Sequence, residues 1–162
     1  MTTDIEALAA QVRQLHDLEA IRGLIGRYAI GADRQNDPAI MAPLFAEDAT
    51  WESEGFGRFA GRATIAEALS KTGQEQILWT LHYMISPTIF LDGDQAHGSW
   101  YLWELATIAG ADGAARSVWV GGTYDARFVR RDGGWYFHAL ILNVKLATPF
   151  DTPWSPDPRT AL

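Results

Sequence analysis

Residues 79–146 read WTLHYMISPTIFLDGDQAHGSWYLWELATIAGADGAARSVWVGGTYDARFVRRDGGWYFHALILNVKL, and the punctuation of this stretch decides the fold. Asp92-Gly93-Asp94, Gly110 to Gly113 and Asp132-Gly133-Gly134 are turn signals, and each separates runs rich in β-branched and aromatic residues. The runs are Trp79 to Leu91, Ala96 to Ile108, Arg116 to Arg130 and Trp135 to Leu146. Four long strands in succession, joined by tight turns, make an antiparallel meander.

Upstream of the meander the period changes from two to three and four. Ile5, Leu8, Val12, Leu15, Leu18, Ile21, Leu24, Ile25 and Tyr28 recur at helical spacing, so Asp4 to about Ala32 is an amphipathic helix, or two in series. Asp33 to Pro38 ends it, with Asp37 capping a short second helix that opens at Pro38 and runs to about Glu47. Ala49 to Ser53 reads as a strand, Phe56 to Gly61 as its hairpin return, and Ala63 to Lys71 as a third helix. Helices first and a long meander last is the α+β pattern. The curved antiparallel sheet wraps the N-terminal helices as a cone around an aromatic-lined hollow.

At 162 residues the chain has room for one core and one domain, with residues 148–162 expected as a proline-containing tail. The balance of 48% hydrophobic and 20% charged residues is that of a globular domain. The net charge of -7, with no run of Lys or Arg, argues against nucleic acid or an anionic membrane as partner. The absence of cysteine closes off disulfides, thiolate metal sites and thiol nucleophiles. The N-terminus has neither the basic start nor the apolar run of a signal peptide, so a cytoplasmic protein is expected.

Two polar residues stand out for chemistry. Asp33 sits where the first helix runs out, about 100° round the helix from Ala32, at the edge of the apolar face. His82 lies early in the first long strand, sharing a face with Met84, Ser86, Thr88 and Phe90. That face carries a few polar groups, as a ligand cavity does, while Tyr83, Ile85, Pro87, Ile89 and Leu91 form the face expected against the helices. A carboxylate beside an imidazole fixes its tautomer and raises its basicity, which suits proton abstraction from an activated carbon. Tyr28, on the buried stripe, places a phenol in the same hollow to donate to a carbonyl or leaving group. Met84, Trp100 and Trp119 are expected to line the hollow. On the last strand Asn143 and Lys145 share a face with Trp135, Phe137, Ala139 and Ile141, and are candidates to bind substrate oxygen. His16, His97 and His138 have no ligand spacing, so no metal is expected.

The element order, with Tyr28-(x)4-Asp33, Leu44-Phe45-Ala46-Glu47-Asp48-Ala49-Thr50-Trp51, Gly61-Arg62-(x)2-Ile65, Leu81-His82-Tyr83 and Tyr124-(x)3-Phe128 through Asp132-Gly133-Gly134-Trp135, resembles the SnoaL-like family of the nuclear transport factor two-like superfamily. The likeness is strongest to the group of lindane dehydrochlorinase, bile acid 7α-dehydratase and scytalone dehydratase. It implies a cone-shaped α+β barrel that works without a cofactor and assembles as a homo-oligomer, trimer or dimer. It also implies a catalytic dyad of Asp33 and His82. Tyr28 matches the bile acid enzyme, where the dehydrochlorinase carries lysine. The basic residue those enzymes use on the final strand has its nearest counterpart in Lys145, one residue out of register. The expected activity is a cofactor-independent lyase acting on a small cyclic, largely apolar molecule. The alternatives are a ketosteroid-isomerase-like shift of a double bond and a non-catalytic binding or oligomerisation module.

Overall fold

Tight turns with glycine at positive φ, at Gly93 and Gly133, close the two outer hairpins of the meander. The computed structural model describes residues 2–110 and 112–151. Its helices are α1 (Thr2–Ala32), α2 (Pro38–Met41) and α3 (Arg62–Gln76), with a 3-10 turn over Ala42–Leu44. Its strands are β1 (Phe45–Ser53), β2 (Gly57–Ala60), β3 (Ile77–Asp92), β4 (Gln95–Ala109), β5 (Ala115–Arg131) and β6 (Gly134–Pro149). The six strands form one curved, unclosed sheet in the order β2-β1-β6-β5-β4-β3. The meander is antiparallel throughout, as its turns require, but β1 runs parallel to β6, so the sheet as a whole is mixed.

The second helix is shorter than its sequence suggests. Pro38 opens it and Asp37 caps it through Ala39 N–H at 2.9 Å, yet the chain leaves helix at Leu44 and is extended from Phe45 rather than from Ala49. Phe45 and Ala46 are fully buried, so pairing and burial outweigh the helical tendency of Leu44 to Glu47. Strand β6 likewise runs on to Pro149, with Thr148 buried opposite Trp119, so the tail begins later than residue 148. The rest of that expected tail, residues 152–162, lies outside the described residues.

The core lies between the concave face of the sheet and the C-terminal half of α1. Ile21, Leu24, Ile25 and Tyr28 are buried against Phe45, Trp100, Tyr124, Phe128 and Phe137. The N-terminal half of the same apolar stripe, Ile5, Leu8, Val12 and Leu15, is exposed. The helix is tied down at its middle: Asp17 receives both Arg130 guanidinium nitrogens at 2.8 and 3.0 Å and the Trp135 indole N–H at 2.9 Å.

Helices and hollow turn out to share one face of the sheet, and a bulge is the reason the simple alternation of β3 fails. Ser86, in front of Pro87, takes φ 53°, and the β3–β4 register slips between Ile85 and Thr88. Before the slip Thr80, His82 and Met84 point inward, whereas after it Ile89 and Leu91 do. Tyr83 and Ile85, expected beneath the helices, are exposed on the convex side. Among the described residues no helix is long and apolar enough to cross a membrane.

Candidate active site

The turn after α1 is what delivers Asp33. Gln35 and Asn36 both adopt left-handed backbone, at φ 56° and 55°, folding the chain back onto α3. Gly73 on α3 permits that approach, since a Cβ there would collide with the Gln35 carbonyl oxygen. Asp33 Oδ1 accepts the backbone N–H of His82 at 2.9 Å and lies 2.7 Å from His82 Nδ1, with the Thr80 hydroxyl at 3.4 Å. An ionised carboxylate only accepts, so Nδ1 carries a proton and the ring is held by its rear nitrogen.

The other nitrogen, Nε2, lies 3.3 Å from Oε2 of Glu104. Glu104 is directly opposite His82 in the β3–β4 register and equally enclosed, the two side chains being 12% and 10% exposed. Nothing local in the sequence singles out Glu104 as a site residue. Counting back evenly from the Asp92–Gln95 turn sets Leu105 against His82, and only the slip at Ser86 brings Glu104 there. The signal was Pro87 within a strand, which marks a bulge.

Burial holds the Glu104 carboxyl above its ordinary range; the His82 charge opposes this and Asp33 reinforces it. For His82 burial pulls downward, but the Asp33 hydrogen bond and the charges of Glu104 and Asp33 prevail, and its pKa is raised above 6.5. The imidazole and carboxyl, 3.3 Å apart and each with its affinity for protons raised, are placed to hold one proton between them. Tyr28 faces the same space. Its oxygen accepts the Trp51 indole N–H at 3.0 Å, and the Tyr124 ring lies edge-on to its own at 5.8 Å. Since that bond uses the oxygen as an acceptor, its own O–H remains to be donated. Burial pushes the Tyr28 phenol up to about 12, so it stays protonated.

These groups open onto a cavity of about 80 Å³ lined by Tyr28, Asn36, Trp51, His82, Glu104 and Tyr124, with Phe56 and Phe59 among its apolar walls. The sequence reading thus placed Asp33, His82 and Tyr28 together, and the structure brings them together. The predicted substrate-binding residues fare differently. Met84 is on the inner face, but its sulfur receives the Trp100 indole N–H at 3.2 Å, and both pack in the core without lining the cavity. Trp119 stacks on Trp103, 5.3 Å between ring centroids, and also contacts Phe150, away from the cavity. Asn143 donates to Asp125 at 2.8 Å, and Lys145 is exposed. The cause lies in β6, where His138 and Lys145 are each an extra residue against β5, so the alternation that begins at Trp135 changes face twice. Leu140 and Leu142 take the inward positions instead.

The matching segment of the family settles the relationship: a SnoaL-like domain profile matches residues 13–141. The chain belongs to the SnoaL-like family. Solved structures agree on the fold. A hexachlorocyclohexane dehydrochlorinase, LinA type 2, is 24% identical with a TM-score of 0.80, the match covering 90% of this chain and 97% of the other. A protein of Novosphingobium aromaticivorans provisionally named a scytalone dehydratase is 20% identical with a TM-score of 0.74, covering 88% and 93%. An NTF2-like protein with a cystatin-like fold from the same organism is 25% identical with a TM-score of 0.66, covering 94% and 93%. This SnoaL-like domain is therefore a member of the nuclear transport factor two-like superfamily, and its α+β cone is the superfamily's.

Proposed function

We propose that this SnoaL-like domain is a cofactor-independent lyase that eliminates water from a small cyclic substrate. The observation that carries the reading is the 2.7 Å contact of Asp33 with His82 Nδ1 beside a cavity that His82 and Glu104 line. The dehydrochlorinase and the protein named a scytalone dehydratase are by their names elimination enzymes, which adds support. With Glu104 holding the shared proton, His82 Nε2 is free to take a proton from carbon next to a carbonyl, while Asp33 stabilises the imidazolium. The C–H electron pair becomes the new double bond, and the C–O bond breaks toward the leaving oxygen. Glu104 gives that oxygen its proton, so water departs; the proton on His82 then returns to Glu104 and the pair is reset. Tyr28 donates a hydrogen bond to the leaving hydroxyl or to the developing oxyanion.

Incubation with a panel of cyclic β-hydroxy ketones, followed by enone absorbance, should show conversion with release of one water per turnover. Tyr28→Phe should lower kcat about 100-fold, the scale of losing one oxyanion donor. A double bond that moves without loss of water would assign isomerisation to the same base, and no conversion of any panel member would end the enzyme reading.

The convex face supports a second, structural proposal: the domain pairs with further copies of itself through this surface. Trp79, Tyr83, Ile85 and Tyr101 are exposed there together, an unusual density of large apolar side chains for a lone domain. Sizing by light scattering should return a multiple of the chain mass, reduced to the single-chain mass by Tyr101→Glu. A single-chain mass for the wild type would refute it.

A further inference from the structure

We infer that the cavity takes uncharged molecules and rejects anions, with Glu104 as the residue that sets this specificity; the inference deepens the lyase reading and rests on the same site. The charge inventory leads to it. Among the residues lining the cavity none is Lys or Arg, and the one potential cation, His82, already faces two carboxylates, Asp33 at 2.7 Å and Glu104 at 3.3 Å. Wherever the shared proton sits, on Nε2 or on Glu104, the three groups together carry one net negative charge. Two arginines next to cavity-lining segments are committed elsewhere, Arg62 donating to the Phe45 carbonyl at 2.7 Å and Arg58 pairing with Glu52, and Arg34 beside Asp33 is exposed and not among the lining residues. A ligand carboxylate entering the cavity meets uncompensated negative charge in an enclosed place, where opposition between two charges about 5 Å apart weakens binding by roughly 100-fold at an effective dielectric near 20.

The remaining polar groups state what is welcome. Tyr28 offers one O–H donor, Asn36, itself buried, offers an amide, and the Thr72 hydroxyl already donates to the Ala68 carbonyl at 3.1 Å. The walls are aromatic, from Trp51, Phe56, Phe59 and Tyr124. This suits a neutral molecule with one acceptor oxygen at its buried end, a ketone or an alcohol. The size is limiting as well. At about 80 Å³ the cavity is smaller than the roughly 150 Å³ apolar void that holds benzene, so the reacting edge of a single ring is enclosed and the remainder rests at the mouth.

An isosteric pair of probes tests this without turnover: cyclohexanecarboxamide and cyclohexanecarboxylate at pH 7.5, titrated against the full chain and followed by the His82 ring nitrogen resonances. The amide should bind at least about 100-fold more tightly than the carboxylate, and Glu104→Gln should narrow that ratio at least tenfold. Equal binding of the two probes to the wild type, binding of neither up to 10 mM (~10 mM being the weak-binding limit of such titrations), or an unchanged ratio in Glu104→Gln would overturn the inference. The wild-type comparison stands even where the variant does not fold. Selectivity and catalysis fail separately, because an absence of turnover on every cyclic β-hydroxy ketone removes the lyase reading and leaves the wild-type binding ratio untouched.

Discussion

Replacement of His82 by alanine is expected to lower turnover by about a thousandfold while the domain stays folded. The magnitude follows from removing the group that, among the described residues, faces both carboxylates and the cavity. The fold should tolerate it because Asp33 is anchored twice: the backbone N–H of residue 82 still reaches Oδ1 at 2.9 Å in the variant, and the Thr80 hydroxyl still approaches the same oxygen. Circular dichroism and kinetics on one preparation decide the matter, and a variant that retains most of its activity would remove His82 from the chemistry. The pH dependence gives an independent check. His82 has a folded pKa raised above 6.5, so its stabilising contribution is complete below pH 6.5 and is lost as pH rises through the folded value. The stability gap between wild type and His82→Ala should therefore shrink from mildly acid to alkaline pH. Since the base must be unprotonated to act, the acid limb of kcat/KM should lie above pH 6.5 in the wild type and move down in Asp33→Asn.

The largest stability effect is expected from Phe137→Ala. Phe137 is 0% exposed and meets Tyr28, Phe45, Trp100 and Phe128 with ring centroids 5.7, 5.5, 6.3 and 5.2 Å away. Truncation of such a residue costs about 3–5 kcal/mol, a large share of the 5–15 kcal/mol typical of a domain. At this chain length the melting temperature should fall by roughly 10–20 °C. Phe137→Leu, which keeps most of the volume, should cost clearly less. Because Phe137 backs the ring of Tyr28, surviving activity should drop as well. A loss under about 1 kcal/mol in urea unfolding would mean that the ring cluster is not the keystone of the core.

Much of this was open to reading from residues alone, and the exceptions share one cause. The turns at Gly93 and Gly133 announced the meander, and the helix end at Asp33 together with His82 announced the central contact of the site. Both rest on local chemistry: turn preferences, helix period and the pairing of carboxylate with imidazole. What escaped were consequences of counting. Strict alternation placed Asn143 and Lys145 inward and left Glu104 unremarked, because Ser86, His138 and Lys145 each interrupt the alternation of their strands. Such interruptions depend on how two strands twist past each other, which no single segment encodes. The parallel pairing of β1 with β6 joins segments some ninety residues apart, and nothing within Phe45 to Ser53 names its neighbour.

The kink at Ser86 and Pro87 works as a frameshift in the strand. Everything between it and Trp79 meets its neighbour one step displaced from what an unbroken count from the hairpin tip would dictate, so the identity of the group facing the imidazole depends on one residue some four positions away being bulged out of the pairing. Deleting one residue there would straighten the strand and still leave Glu104 opposite His82, whereas drawing the extra residue into regular pairing would set Leu105 there, so in such a sheet the chemistry follows from how the chain is paired as well as from its order.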